Sequence, residues 1–288
     1  MIDEENPVRL DPPIGLCARR PRMRRTMWPL AAALAYLCLA AGGCNLQLPE
    51  QAKKLCDSAL ASFEKGDYAA TIRDMDAFLK EHAGSSVAGR AYYLRGLAKY
   101  RLKEPPQRQA AKADFEKALG QTKDWAVRAN AHTALGDIAW ESNDMTQAEK
   151  MYRQALAYCE RDAPPADHAY FRLGCVLQRL GRWHDADLQF NRVVHFFGDS
   201  EFAKRSARRA HGRRWAIQTA AYQSRKAAES AAERLRRQNL PAVSRPQPQA
   251  DLPLFVVEVG RYRTYEQAAE ALDNVRRHEK DAIITVTR

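Results

Sequence analysis

The C-terminal part of the chain is written twice. Shifted by 40 residues, IQTAAYQSRKAAESAAERLRR from Ile217 lies over VEVGRYRTYEQAAEALDNVRR from Val257. Tyr222 falls on Tyr262, Ser224 on Thr264, Ala228 on Ala268 and Ala231 on Ala271; Arg236-Arg237 falls on Arg276-Arg277, and Ala242-Val243 on Ala282-Ile283. Both copies must therefore be able to adopt one local fold. The first copy alone is ambiguous. Its alanines suit a helix, but Trp215, Ile217 and Thr219 are spaced by two, the alternation of a half-buried strand. The second copy removes the ambiguity. LFVVEVG is β-branched and aromatic, Thr264-Tyr265-Glu266-Gln267 is a capping box that opens a helix, and AIITVT closes as a strand. Two strand–helix–strand halves predict a βαββαβ domain over residues 213–288: a four-stranded antiparallel sheet with two helices on one face.

Alternation then assigns the faces. Ile217, Thr219, Phe255, Val257 and Val259 are expected to meet the helices. Ala216, Gln218, Ala220, Val256 and Glu258, with Ile283 and Thr285, are expected on the opposite, open face. Pro246 and Pro248 lie in the connection between copies.

Before this domain the pattern is different. AHTALGDIAWESNDMTQAEKMYRQAL, residues 131–156, has Leu135-Gly136, Trp140, Asn143-Asp144, Ala148, Tyr152 and Ala155-Leu156. The next unit, AYFRLGCVLQRLGRWHDADLQFNRVV, repeats it with Leu173-Gly174, Gly181, Trp183, Ala186, Phe190 and Val193. Two weaker copies precede, around Ala59, Gly66, Tyr68, Met75 and Phe78-Leu79, then around Gly96, Ala111, Phe115 and Ala118-Leu119. Small residues let the two helices of a hairpin approach; Tyr152 and Phe190 are expected to fill space against the next hairpin. Glu104-Pro105-Pro106 is expected to lengthen one inter-helix turn by about three residues, given the roughly 40-residue period. These units resemble the tetratricopeptide repeat (TPR). The resemblance implies an all-α solenoid of about four hairpins over 51–199, with a concave face for a protein partner. Residues 200–212 are expected to form a capping helix and linker ending at Gly212.

The doubled domain resembles the SPOR family. Ile217-Gln218-Thr219-Ala220-Ala221-Tyr222 stands at the family's V-Q-V-G-S/A-F, and Val257-Glu258-Val259-Gly260-Arg261-Tyr262 at its second-half V-x-V-G-P-F. Ala220, Ala221 and Val256 depart from the usual pattern. The resemblance implies binding to peptidoglycan glycan strands stripped of stem peptides. It makes Ala216, Gln218, Ala220, Tyr222, Val256, Glu258, Ile283 and Thr285 the candidate glycan contacts. Arg214, Arg245, Arg261 and Arg263 are candidates for the exposed lactyl carboxylate. Glu258 is the awkward member, an acid on a face meant for an acidic ligand.

The N-terminus reads as an address. MRRTMWPLAAALAYLCLAAGGC, from Met23, sets two arginines before an apolar stretch too short to span a membrane. Ala41-Gly42-Gly43-Cys44 resembles the lipobox of bacterial lipoproteins, which implies lipidation at Cys44; cleavage by the ordinary signal peptidase is the competing reading. Asn45 in place of Asp points to the outer membrane, facing the periplasm. The expected layout is an extension and signal over 1–43, a lipid-anchored tether over 44–50, then the array. Cys56, Cys159 and Cys175 remain in the body at no metal-site spacing, and are read as free thiols over a Cys159–Cys175 pair.

The formal charge of +11 is concentrated late: residues 200–288 hold 18 Lys and Arg against 10 Asp and Glu. Such a surface favours anionic partners. RNA-recognition sheets need stacking aromatics on the central strands. Ala216, Gln218, Val256 and Glu258 stand there instead, so nucleic acid is not expected. The seven histidines are scattered, and no phosphate loop or Gly-x-Ser-x-Gly occurs. No enzyme, cofactor or metal is expected. The sequence therefore reads as an envelope lipoprotein that binds glycan and a protein partner, in cell division or envelope maintenance. The rival reading is a repeat scaffold for outer-membrane protein assembly or envelope constriction, with a degenerate docking domain.

Overall fold

The computed structural model describes residues 48–247 and 254–287; the signal sequence and Cys44 lie outside the described residues. Nine helices come first among them: α1 Glu50–Glu64, α2 Tyr68–His82, α3 Ala88–Arg101, α4 Pro105–Gln121, α5 Trp125–Glu141, α6 Met145–Ala157, α7 Ala166–Arg179, α8 Trp183–Phe196 and α9 Glu201–Arg209. The order then changes to β1 Arg214–Tyr222, α10 Arg225–Arg237, β2 Ala242–Gln247, β3 Leu254–Tyr262, α11 Tyr265–Arg276 and β4 Ile283–Thr287. The chain divides into two compact units, one ending at Ala169 and one running from Tyr170, so the division falls inside α7.

The helical hairpins are built by a shared turn. α1–α2, α3–α4, α5–α6 and α7–α8 are each joined by three residues, and each turn has one residue with positive φ: Gly66, Lys103, Asn143 or Gly181. Asp67 and Asp144 follow and accept from the main-chain N–H of Ala70 and Gln147, capping α2 and α6. The Pro105-Pro106 turn is therefore no longer than the others, contrary to expectation. The prolines open α4 at its first two positions, where a missing N–H leaves no bond unmade, and the added length goes into that 17-residue helix.

Packing inside the second, third and fourth hairpins is ring on glycine. A Cβ on Gly96 would stand 2.8 Å from the Phe115 ring, one on Gly136 2.6 Å from Tyr152, and one on Gly174 2.5 Å from Phe190. Tyr152 and Phe190 thus lie over the glycine of their own hairpin. In the first unit Tyr152 also donates to Asp137 at 2.6 Å, both buried. Cys159 and Cys175 do not pair with each other and are free thiols.

In the second unit the sheet has the order β2-β3-β1-β4, antiparallel throughout. Ser224 and Thr264 cap α10 and α11, accepting from Ala227 and Gln267. The Gln267 side chain reaches back to the N–H of Arg263, one residue before the cap itself. Ile217, Val257 and Val259 pack with Ala228, Ala231, Ala232, Leu235 and Val275 of the two helices. The predicted βαββαβ fold is the observed one.

α9 ends at Arg209, short of Gly212. Gly212 has a different duty, since a Cβ there would fall 1.9 Å from the Val286 side chain of β4. The last hairpin and the sheet meet through a clamp within the second unit. Trp215, 2 % exposed, packs on Trp183 and edge-on against Tyr265. The Arg179 guanidinium sits 3.6 Å over the Tyr265 ring. Asp187 accepts from Arg213 at 2.8 Å and from the His211 N–H at 2.7 Å, and the Gln178 side chain bonds the Arg209 carbonyl.

Candidate functional site

The register of the four strands defines the open face. Its central row runs Val243, Glu258, Gln218, Ile283 across β2, β3, β1 and β4. Gln218 and Glu258 are the same position of the two copies, 40 residues apart, and so are Val243 and Ile283. The duplication thus becomes a pseudo-twofold axis between two cross-strand partners. The row is apolar at its ends and polar at its centre. Val243 was missed as a candidate, although its place 40 residues before Ile283 marked it; it is 38 % exposed.

Two irregularities move other candidates. Gln218 pairs with Glu258 and Ala220 with Val257, leaving Thr219 without a partner on β3. This bulge advances β1 by one residue and flips the alternation after it. Ala220 and Tyr222 therefore lie opposite Val257 and Phe255 on the helix side, and Tyr222 packs against the core there. Both are corrected from the open face to the buried one. Ala221, opposite Val256, takes their place and is exposed. Thr219, expected against the helices, is only half-buried, and its hydroxyl donates to the Val257 carbonyl. The second irregularity lies in β3, where Gly260 and Arg261 oppose the single residue Ala216 and Gly260 has a φ of 72°.

Glu258 does not project into solvent. Its residue is 6 % exposed, and its Oε2 accepts from the Thr287 hydroxyl at 2.9 Å and pairs with Arg245 Nε at 3.2 Å. Thr287 belongs to β4 and Glu258 to β3, with β1 between them, so this bond passes over β1. Ala216, the small open-face residue of β1 at this end, is fully buried, and Val256 is 6 % exposed. Neither offers ligand the surface expected of it. Burial lifts the Glu258 carboxyl above its ordinary range, although the Thr287 hydrogen bond and the nearby Arg245 and Arg261 charges act to lower it.

What the face still presents is half-buried Gln218, Ile283 and Thr285 with exposed Val243 and Ala221. A glutamine amide donates and accepts, and Val243 and Ile283 can cover the faces of flat apolar or sugar rings. Of the four candidate arginines, Arg214 pairs with Thr287 in register and Arg245 with Val256, both on this face. Arg261 is exposed at the β3 bulge, near enough to act on Glu258. Arg263 lies in the turn before α11, off the sheet. Among the described residues no group of three or more His, Cys, Asp or Glu is placed to hold a metal ion.

Comparison with known families gives the same two modules. Residues 212–285 match the SPOR domain, and residues 129–162 the tetratricopeptide repeat. Residues 212–285 form a SPOR domain. Its match begins at Gly212, the residue forced small by β4, and includes the whole central row. Among solved structures, that of MamA protein is 20 % identical, covering 55 % of this chain and 80 % of its own, with a TM-score of 0.45. A tetratricopeptide repeat protein from Parabacteroides merdae ATCC 43184 is 17 % identical over 55 % of this chain and 58 % of its own, at 0.45. YrrB, described as a TPR protein with an unusual peptide-binding site, is 20 % identical over 55 % of this chain and 80 % of its own, at 0.42. No curated protein matches the chain.

Proposed function

We propose that this protein is a cell-envelope lipoprotein that binds glycan strands of peptidoglycan through the open face of its SPOR domain and a protein partner through its repeats. SPOR and TPR modules are binding domains, and the face has the character of a binding surface. The observation that carries the reading is the symmetric row Val243–Glu258–Gln218–Ile283, which puts hydrogen-bonding groups between two apolar side chains. A sugar ring needs that combination: apolar contact for its C–H face, here from Val243 and Ile283, and an amide, here Gln218, for its hydroxyl and N-acetyl groups. The preference for strands stripped of stem peptides follows the family resemblance, and the basic surplus of the C-terminal part supports an anionic ligand. Cys44 is the lipid anchor in this reading, which sets the protein on the outer membrane facing the periplasm. Cell division or envelope maintenance is its setting.

Purified cell-wall sacculi, with and without amidase treatment, provide the test. The full chain is expected to be retained more strongly on treated wall, and Gln218→Ala to lower that retention about tenfold, the loss of roughly one good hydrogen bond. Equal retention on treated and untreated wall would contradict the preference for stripped strands. No retention on either would remove the glycan function.

A further inference from the structure

The two halves of the SPOR domain treat one position in opposite ways. Gln218 is half-buried, with no hydrogen-bond partner for its side chain among the described residues. Glu258, its counterpart 40 residues on, is folded down between Thr287 and Arg245. A buried carboxylate on a surface that must receive an acidic sugar is a contradiction if Glu258 is itself a ligand contact. It ceases to be one if its carboxylate occupies a place made for another.

We propose that Arg245 and Thr287 form a carboxylate subsite on the sheet face, which Glu258 fills in the free protein and a sugar carboxylate takes over on binding. This rests on the glycan-binding reading above and names the part of the ligand that is recognised. The donors have the required chemistry. The Thr287 hydroxyl donates to Oε2 at 2.9 Å, and the Arg245 guanidinium forms an ion pair with the same oxygen, its Nε 3.2 Å away, while that buried Nε–H makes no hydrogen bond among the described residues and is left for an incoming carboxylate. Buried Ala216 keeps this end of the face low, and a larger residue on β1 would stand where the carboxylate crosses. Arg261, exposed at the β3 bulge, adds positive potential.

The occupant is also partly desolvated: burial lifts the Glu258 carboxyl above its ordinary range, although Thr287, Arg245 and Arg261 act to lower it. Leaving the pocket returns it to water when a second carboxylate arrives to satisfy the same donors. The charge in the subsite is then unchanged, and one further anion is exposed. Arg245 is the arginine that meets the lactyl group in this account, while Arg263, off the sheet, does not.

Two measurements on the full chain test this, with glycan strands freed of stem peptides by amidase as the probe. In the wild-type protein the Glu258 side-chain carboxyl carbon is followed by NMR as glycan is added, beside the Gln218 amide. The subsite predicts that the Glu258 resonance moves to that of a solvated carboxylate in step with Gln218. In the Glu258→Gln protein, the neutral occupant is easier to displace, so affinity should rise about tenfold. That gain should vanish when the glycan carboxylates are converted to amides, and again when Arg245→Gln is added. Misfolding would weaken binding, so a gain cannot arise from it. If Gln218 responds and Glu258 does not, or if Glu258→Gln binds no more tightly, the subsite is refuted and glycan binding stands. If neither residue responds to glycan, both readings fall together.

Discussion

Replacing Trp215 by alanine should loosen two things at once, the first strand of the SPOR domain and the last helix of the repeats. Trp215 is 2 % exposed, with ring centroids 5.7 Å from Trp183 of α8 and 5.2 Å from Tyr265 of α11, the latter at 85°. Burial of an indole removes about 150–250 Å² from water, roughly 4–6 kcal/mol. The two aromatic pairs add about 1 kcal/mol each. Against this, Nε1 is buried without an acceptor among the described residues, a penalty of about 1–3 kcal/mol. The balance places Trp215→Ala at a loss of about 3–7 kcal/mol, overlapping the range of about 3–5 kcal/mol usual for truncating a buried tryptophan. Amide hydrogen exchange read by mass spectrometry reports both elements separately. A loss of about 3 kcal/mol speeds exchange roughly a hundredfold, and the acceleration should appear in β1 and in α8 alike. Trp215→Phe, which also removes the unpartnered N–H, should lose much less. Acceleration confined to β1, with α8 protected as before, would refute the idea that hairpin and sheet unfold as one unit.

Other substitutions follow from the same structure. Gly174→Ala puts a methyl group 2.5 Å from the Phe190 ring, and should cost about 1–3 kcal/mol of stability by overpacking, read as a fall in the thermal midpoint; a neutral result would mean the ring yields freely. Ser224→Ala and Thr264→Ala remove the caps of α10 and α11 and should each lower denaturant stability by about 1 kcal/mol. Glu258 has a distinct pH signature. Its carboxyl is raised above the ordinary 4.5, so folding favours the protonated form. That contribution is full below 4.5 and is lost as pH rises through the folded value. The stability of wild type relative to Glu258→Gln should therefore shrink with rising pH across that window, and an opposite slope would show that Arg245, Arg261 and Thr287 outweigh burial.

Much of this architecture was legible because it was repeated. A strand ambiguous at Ile217 became readable at Val257, and Ser224 and Thr264 both begin helices because a hydroxyl can accept from the third N–H along. The parts that were not legible are departures of a single residue. Nothing in TAAY announces that Thr219 is unpaired, yet that bulge alone sends Ala220 and Tyr222 to the helix side. Period-two reasoning carries no information past a slip of one. Pro105-Pro106 looked like a longer loop because prolines end helices, but they start them equally well. Glu258 was placed on the correct face, and its exposure was misjudged. Its partners, Arg245 and Thr287, come from β2 and β4, and contacts made across three strands have no local pattern to announce them. The Trp183–Trp215–Tyr265 clamp was hidden for the same reason.

The central claim is that the row Val243–Glu258–Gln218–Ile283 is where glycan lies. Backbone amide shifts of the full chain, followed as peptide-free glycan strands are added, test it directly. The account predicts changes concentrated at Gln218, Val243, Ile283 and Thr285, with α10 and the α5–α6 hairpin silent. Saturable changes centred on the helices, with the four sheet positions unmoved, would contradict it.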